Sequence, residues 1–190
     1  MSTLRNTLAL GGREAVPSLT WRRVIGVAAF AAATAIGARV AIPLPGTPVP
    51  FTLQPLFVLL AGAVLGARLG AASQAAYLAA GIAGLPVFAA GGGVAYLLGP
   101  TGGYLMAYPA AAFLAGALGR SGGLRALPGL VAALAAIYLG GLAWLSVVGS
   151  VDTAVALGLR PFVLADLVKV LMVALVMGRF RDRALRLFGS

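Results

Sequence analysis

From residue 24 to residue 178 the chain is a succession of apolar runs interrupted only by glycines, prolines and isolated polar or charged residues. A bilayer-crossing helix needs about 20 mostly apolar residues, and with both polar ends set aside this length has room for five to seven. Soluble domains carry about a quarter of their residues as charges; here the share is 9%, and the mean hydropathy is +1.03. A lipid bilayer is therefore the expected environment, and one helical bundle the expected architecture.

Breaks at Gly, Pro and Arg divide the apolar length into six expected spans, at roughly 24-41, 54-66, 68-84, 102-119, 126-149 and 161-178. An even number of spans puts both termini on one side. Arg5, Arg13, Arg22, Arg23, Arg68, Arg120, Arg125, Arg179, Arg181, Arg183 and Arg186 then share that side, and only Arg39 and Arg160 lie opposite. The asymmetry predicts cytoplasmic termini. The expected organisation is a cytoplasmic segment at 1-23, a six-helix domain at 24-178 and a basic cytoplasmic tail at 179-190. The net charge of +10 would suggest nucleic acid in a soluble domain, but these arginines flank spans and form no basic face with stacking aromatics. A secretory signal starting at Arg22 and Arg23 is disfavoured by the long polar segment before them and the Leu-poor run after them.

Without cysteine or histidine, the chain lacks disulfides, thiol nucleophiles, imidazole bases and the usual zinc ligands. No metal and no recognisable catalytic set is expected. Asp166 and Lys169, the one lysine of the chain, fall inside the last apolar run. Ionisable groups there are costly and mark function by default. Three positions apart, they emerge on one helix face. Taken alone they fit either a shared ligand contact or an ion pair that fixes helix packing.

Two irregular segments share the side of the membrane opposite the termini. Pro43, Pro45, Pro48 and Pro50 forbid a helix through the first, PLPGTPVPFTLQ at 43-54. The second, at 84-103, is rich in Gly. Apolar irregular backbone is tolerated at membrane depth only where it is buried in protein or lines a cavity, so both are expected to cover a pocket. Backbone groups of the Gly-rich turn, including Gly91 and Gly92, would meet a polar ligand edge. Phe51, Phe88, Tyr96 and Tyr104 would supply apolar walls, and Thr52 and Gln54 neutral hydrogen bonds. Tyr77 fits contact and aromatic packing equally; Ser73 and Gln74 fit helix-helix hydrogen bonds better. GPTGG at 99-103 lacks the Lys-Ser/Thr of a phosphate-binding loop, so any ATP hydrolysis belongs to another subunit.

Small residues at Ala29, Ala33, Gly37 and Ala41 form a stripe on the first span. It serves either packing within the bundle or docking onto another membrane subunit. LAGAVLGARLG at 60-70 and LAGALGRSGG at 114-123 read as equivalent Gly/Arg turns.

PVPFTLQ at 48-54, GLPVFAAGGG at 84-93, GPTGGYL at 99-105 and DLVK at 166-169, in this order on six spans, resemble the BioY family, the biotin-binding substrate-specific (S) component of energy-coupling factor (ECF) transporters. The resemblance covers about 24-178. It implies a six-helix S component in the cell membrane. Such a component captures biotin near the extracellular face and works with a transmembrane coupling protein and paired ATPases. It carries the role of polar biotin ligands onto Asp166 and Lys169, and the docking role onto Ala29 and Ala33, with Gly37 on the same stripe. One departure is Ala107, where the family's GPTGGYLxG run has Gly; it bears on helix packing. No bound cofactor is implied beyond biotin as the transported ligand. The chemistry agrees: a carboxylate accepts from ureido NH groups and an ammonium donates to a carbonyl or carboxylate. For the valerate carboxylate, Lys169, Arg39 and backbone NH groups stay open. An S component for another small vitamin and a solitary biotin transporter are the alternatives.

Overall fold

A computed structural model of the chain describes residues 15–188; Arg5, Arg13 and the rest of segment 1-14 lie outside the described residues, as do 189-190. The chain is mostly helical: α1 (Ala15–Arg39), α2 (Gln54–Leu65), α3 (Ala67–Ile82), α4 (Val94–Leu97), α5 (Gly102–Leu118), α6 (Leu127–Val148), α7 (Val151–Gly158) and α8 (Val163–Phe188). The expected segments correspond to α1, α2, α3, α5, α6 and α8, with two differences at the chain's ends. α1 starts nine residues before position 24, and α8 runs unbroken across residue 178 to Phe188. Two helices have no counterpart in the sequence: the one-turn α4 lies inside the segment expected to be irregular, and α7 is capped at Ser150 by a bond from the Thr153 NH and bent 55° from α8.

Among the described residues, Gly123–Val148 is long and apolar enough to cross a membrane alone, and the bent α7–α8 pair makes a second such segment; α2 and α5 are apolar but shorter. With a rise of 1.5 Å per residue, the 12 residues of α2 reach only about 18 Å. Irregular backbone precedes it in the chain. The Pro-rich segment folds as a short antiparallel ladder, β1 (Ala41–Ile42) on β2 (Phe51–Thr52), pairing Ala41 with Thr52. Pro45 and Gly46 (φ +79°) take the central positions of a turn closed by the Thr47 NH on the Leu44 carbonyl, as expected where Pro is followed by a residue of positive φ. The Leu53 NH donates to the Gly37 carbonyl, and the Thr47 hydroxyl to the Leu157 carbonyl at 2.7 Å.

The repeated LAGA segments meet each other. Gly62 of α2 lies against the Ala112 carbonyl and Gly116 of α5, and Gly116 lies against Gly66 and Ala67. A Cβ at Gly62 would sit 2.1 Å from that carbonyl, so only glycine permits the crossing. Positive-φ glycines, Gly66 after the first segment and Gly122 after the second, turn the chain. Ala107, the departure from the family run, packs its Cβ over Gly140 of α6, so the added methyl faces a glycine. Ser73, Gln74 and Thr34 form a buried cluster: the Gln74 amide donates to Thr34 Oγ1 (3.2 Å) and Ser73 Oγ (3.1 Å), tying α3 to α1.

The stripe on α1 does not stay on one surface. Ala29 is exposed and Ala33 half-buried, but Gly37 is buried under Phe57 of α2, whose ring stands where a Cβ would be. A spacing of four advances about 400°, so each step drifts about 40° around a 3.6-residue helix. Over two steps Gly37 is carried into the bundle.

Candidate functional site

The two irregular segments converge at one end of the bundle, above the start of α8. Between them and the helix ends lies a cavity lined by apolar and aromatic side chains with a few convergent polar groups, the make-up of small-molecule sites. α5, α6 and the α7–α8 junction supply its helical walls. α5 gives Leu105 and Tyr108 below Thr101 and Tyr104, α6 gives Ile137 and Tyr138, and the α7–α8 junction gives Gly158, Phe162, Asp166 and Lys169. The first loop adds Phe51, Thr52 and Gln54, and the second adds Ala89, followed by Tyr96 of α4.

Asp166 and Lys169 are 5% and 4% exposed. Lys169 Nζ donates to Asp166 Oδ1 at 2.6 Å and to the Thr52 carbonyl at 2.7 Å, and lies 4.0 Å from the centroid of the Phe51 ring. Asp166 Oδ2 accepts from the Tyr138 hydroxyl at 2.5 Å. Asp166 also sits in the first turn of α8, where the helix dipole favours a carboxylate. The pair is thus solvated by protein on every side shown, as a buried charge pair requires. It still has capacity. A carboxylate offers about four lone-pair directions and an ammonium three donors; two of each are used within the chain.

A second chain of bonds joins the loops. The Thr52 hydroxyl donates to Gln54 Oε1 (3.1 Å), Gln54 Nε2 to the Tyr77 hydroxyl (2.6 Å), and the Tyr77 hydroxyl to the Val87 carbonyl (3.2 Å). The walls are then set by close approach to glycine. Tyr104 lies flat over Gly141, with its hydroxyl donating to the Gly158 carbonyl at 2.9 Å; a Cβ on either glycine would overlap it.

The structure thus gathers Asp166, Lys169, Gln54, Thr52, Phe51 and Tyr104 around one cavity. Four expected contacts stand behind its wall. Tyr77 is turned to Gln54 and Val87. Phe88 is fully buried against Gly81 and stacks at 5.1 Å under Tyr96, the ring that does line the cavity. Gly91 closes a tight turn by bonding Phe88 in both directions, and Gly92 passes against the Leu85 carbonyl. These residues shape the loop, because the glycines let it fold back and the aromatic side chains fill the space beneath. Arg39 donates to the Pro86 carbonyl on the same loop. Tyr138, Tyr108, Thr101 and Phe162 were missed. A signal was available for α5, where Thr101, Tyr104, Leu105 and Tyr108 follow helical spacing. Nothing in the sequence ties Tyr138 to an aspartate 28 positions on.

An apolar helical bundle whose end is closed by two loops over such a cavity is the architecture of an S component. The fold matches the crystal structure at 2.1 Å of the S-component for biotin from an ECF-type ABC transporter, with TM-score 0.78 and 27% identity over 86% of this chain and 92% of that one. The chain belongs to the BioY family, whose model matches residues 12–186. It is 45% identical over 156 residues to a Pyrococcus horikoshii protein named probable biotin transporter BioY (82% of this chain, 93% of that protein). It is 41% identical over 164 residues to the biotin transporter BioY of Thermotoga maritima (84% and 96%). These relatives are named as transporters, not enzymes.

Proposed function

We propose that this chain is the biotin-binding S component of an ECF-type uptake system in the cell membrane, and that the cavity over Asp166 and Lys169 is its biotin site. The observation that carries the reading is the spare capacity of the buried pair. The Asp166 carboxylate keeps two acceptor directions, enough to take one ureido NH of a cyclic urea, whose two NH groups point apart on either side of its carbonyl. Lys169 anchors the carboxylate and the first loop together, so ligand contact with the pair is coupled to the position of Phe51 and Thr52. The apolar bicycle then lies among Phe51, Tyr96 and Tyr104, which suits an amphiphile with one polar edge.

In this reading α1, α2, α3, α5, α6 and α7–α8 are six membrane crossings with both termini in the cytoplasm. The arginine-rich end, opposite the cavity, faces inward, so biotin is captured from outside. A coupling subunit docks on the α1 face carrying Ala29 and Ala33, and ATP is hydrolysed by its partner ATPases. Calorimetric titration of the purified protein with biotin tests the site. The parent is expected to bind, Asp166→Asn to weaken binding about tenfold or more, as loss of a hydrogen bond to a charged group does, and Lys169→Ala to weaken it as well. Both variants binding as tightly as the parent would refute the site; a parent that binds another vitamin and not biotin would refute the ligand.

A further inference from the structure

Four tyrosines of the cavity region are at least nine-tenths buried: Tyr77, Tyr104, Tyr108 and Tyr138. Three have their hydroxyls engaged within the chain, on Val87, Gly158 and Asp166. Tyr108 is different. It is 4% exposed and borders the cavity, yet its hydroxyl has no hydrogen-bond partner among the described residues. The hydroxyl is not sealed inside the protein: it opens onto the cavity without a partner from the described residues, where a ligand can reach it.

Its position is set by the same helix that forms the wall. Tyr108 lies one turn along α5 from Tyr104, about 6 Å farther from the loops, at the floor of the cavity. Stacking on Tyr77, with ring centroids 6.4 Å apart and planes 26° from parallel, holds the ring. The polar inventory of the cavity shows what is missing there. Asp166 only accepts. Lys169 has two of its three donors committed to Asp166 and Thr52, and its ammonium is held over the Phe51 face of the first loop. A cyclic urea placed with one NH on Asp166 carries its carbonyl oxygen beside that NH, and the oxygen needs a donor there.

We infer that Tyr108 is a ligand-binding residue, its hydroxyl donating a hydrogen bond to the ureido carbonyl oxygen of the bound ligand. The assignment rests on the biotin reading of the site. It makes Tyr108 a determinant of specificity, because a ligand without an acceptor at that end leaves the hydroxyl unsatisfied.

The test is titration of the purified full chain with biotin and with 2-thiobiotin, whose thiocarbonyl is a weak acceptor. Tyr108→Phe keeps the ring and its stacking, and thermal unfolding of the ligand-free variant checks that it folds. The variant is expected to lose roughly 5- to 150-fold in biotin affinity, the range for a buried polar group left unpaired. The parent is expected to prefer biotin over 2-thiobiotin, and the variant to bind the two about equally. Parent-like biotin binding by Tyr108→Phe, with Asp166→Asn still weakened, would make Tyr108 a packing residue and overturn this inference alone. An equal loss for both ligands in the variant, or a parent indifferent to the sulfur, would overturn the carbonyl assignment. A folded parent that fails to bind biotin would overturn this inference together with the reading it rests on.

Discussion

Replacing Lys169 with methionine keeps most of the apolar stem and removes the ammonium. Three interactions go with it: the 2.6 Å ion pair to Asp166, the 2.7 Å bond to the Thr52 carbonyl and the contact with the Phe51 ring. What remains is a 5% exposed carboxylate whose neighbour within the chain is the Tyr138 hydroxyl. Breaking a buried pair by deleting one partner costs about 3–5 kcal/mol. The contact with Phe51 contributes within that figure, on the order of 0.5–2 kcal/mol, because such terms do not add. Lys169→Met is therefore expected to unfold at least 3 kcal/mol more easily than the parent. The double variant Asp166→Asn/Lys169→Met leaves no unpaired charge and is expected to recover at least half of the loss. SDS-titrated unfolding in mixed micelles, followed by tryptophan fluorescence without ligand, measures both. If Lys169→Met loses less than about 1 kcal/mol, or if the double variant is no more stable than the single one, the pair is not the buried, mutually dependent unit described here.

The α1 stripe separates into two kinds of position. Ala29→Leu/Ala33→Leu is expected to leave biotin affinity within twofold of the parent and to abolish ATP-dependent uptake in cells supplied with the coupling and ATPase subunits. Gly37→Leu, by contrast, would drive a side chain into the Phe57 ring, where a Cβ alone would come within 2.6 Å. It is expected to lower the unfolding temperature and biotin binding together, at the roughly 1–3 kcal/mol of an overpacked contact; a Gly37→Leu protein as stable as the parent would mean that this face is open. For topology, the absence of native cysteine lets single cysteines report directly. Ser121→Cys is expected to resist a membrane-impermeant maleimide in intact cells, and Pro45→Cys to be labelled; the reverse pattern would invert the proposed orientation.

Much of the architecture was legible because the membrane imposes one-dimensional rules. Apolar length and its breaks at Gly, Pro and Arg are properties of the chain order itself, and they located α2, α3, α5 and α6 to within about two residues. The ion pair was legible for a related reason: a carboxylate and an ammonium three positions apart in an apolar helix must share a face whatever surrounds them. Even the division of the α1 stripe follows from helix geometry once a neighbour is known, but the neighbour, Phe57, lies 20 positions away.

What only the tertiary structure decided is how each polar group is used. The Asp166 carboxylate meets Tyr138 and the Lys169 ammonium meets Thr52, 117 positions away. Such partnerships depend on where helices cross, and those crossings are set by close approach at glycines such as Gly62, Gly116 and Gly141. The same packing took Tyr77 and Phe88 out of the cavity and put Tyr108 into it. Scarcity of charge is a property of composition and dictates the bilayer and the bundle. Hydrogen-bond satisfaction is a property of three-dimensional neighbours, and it distinguishes a tyrosine that supports the wall from one left for the ligand.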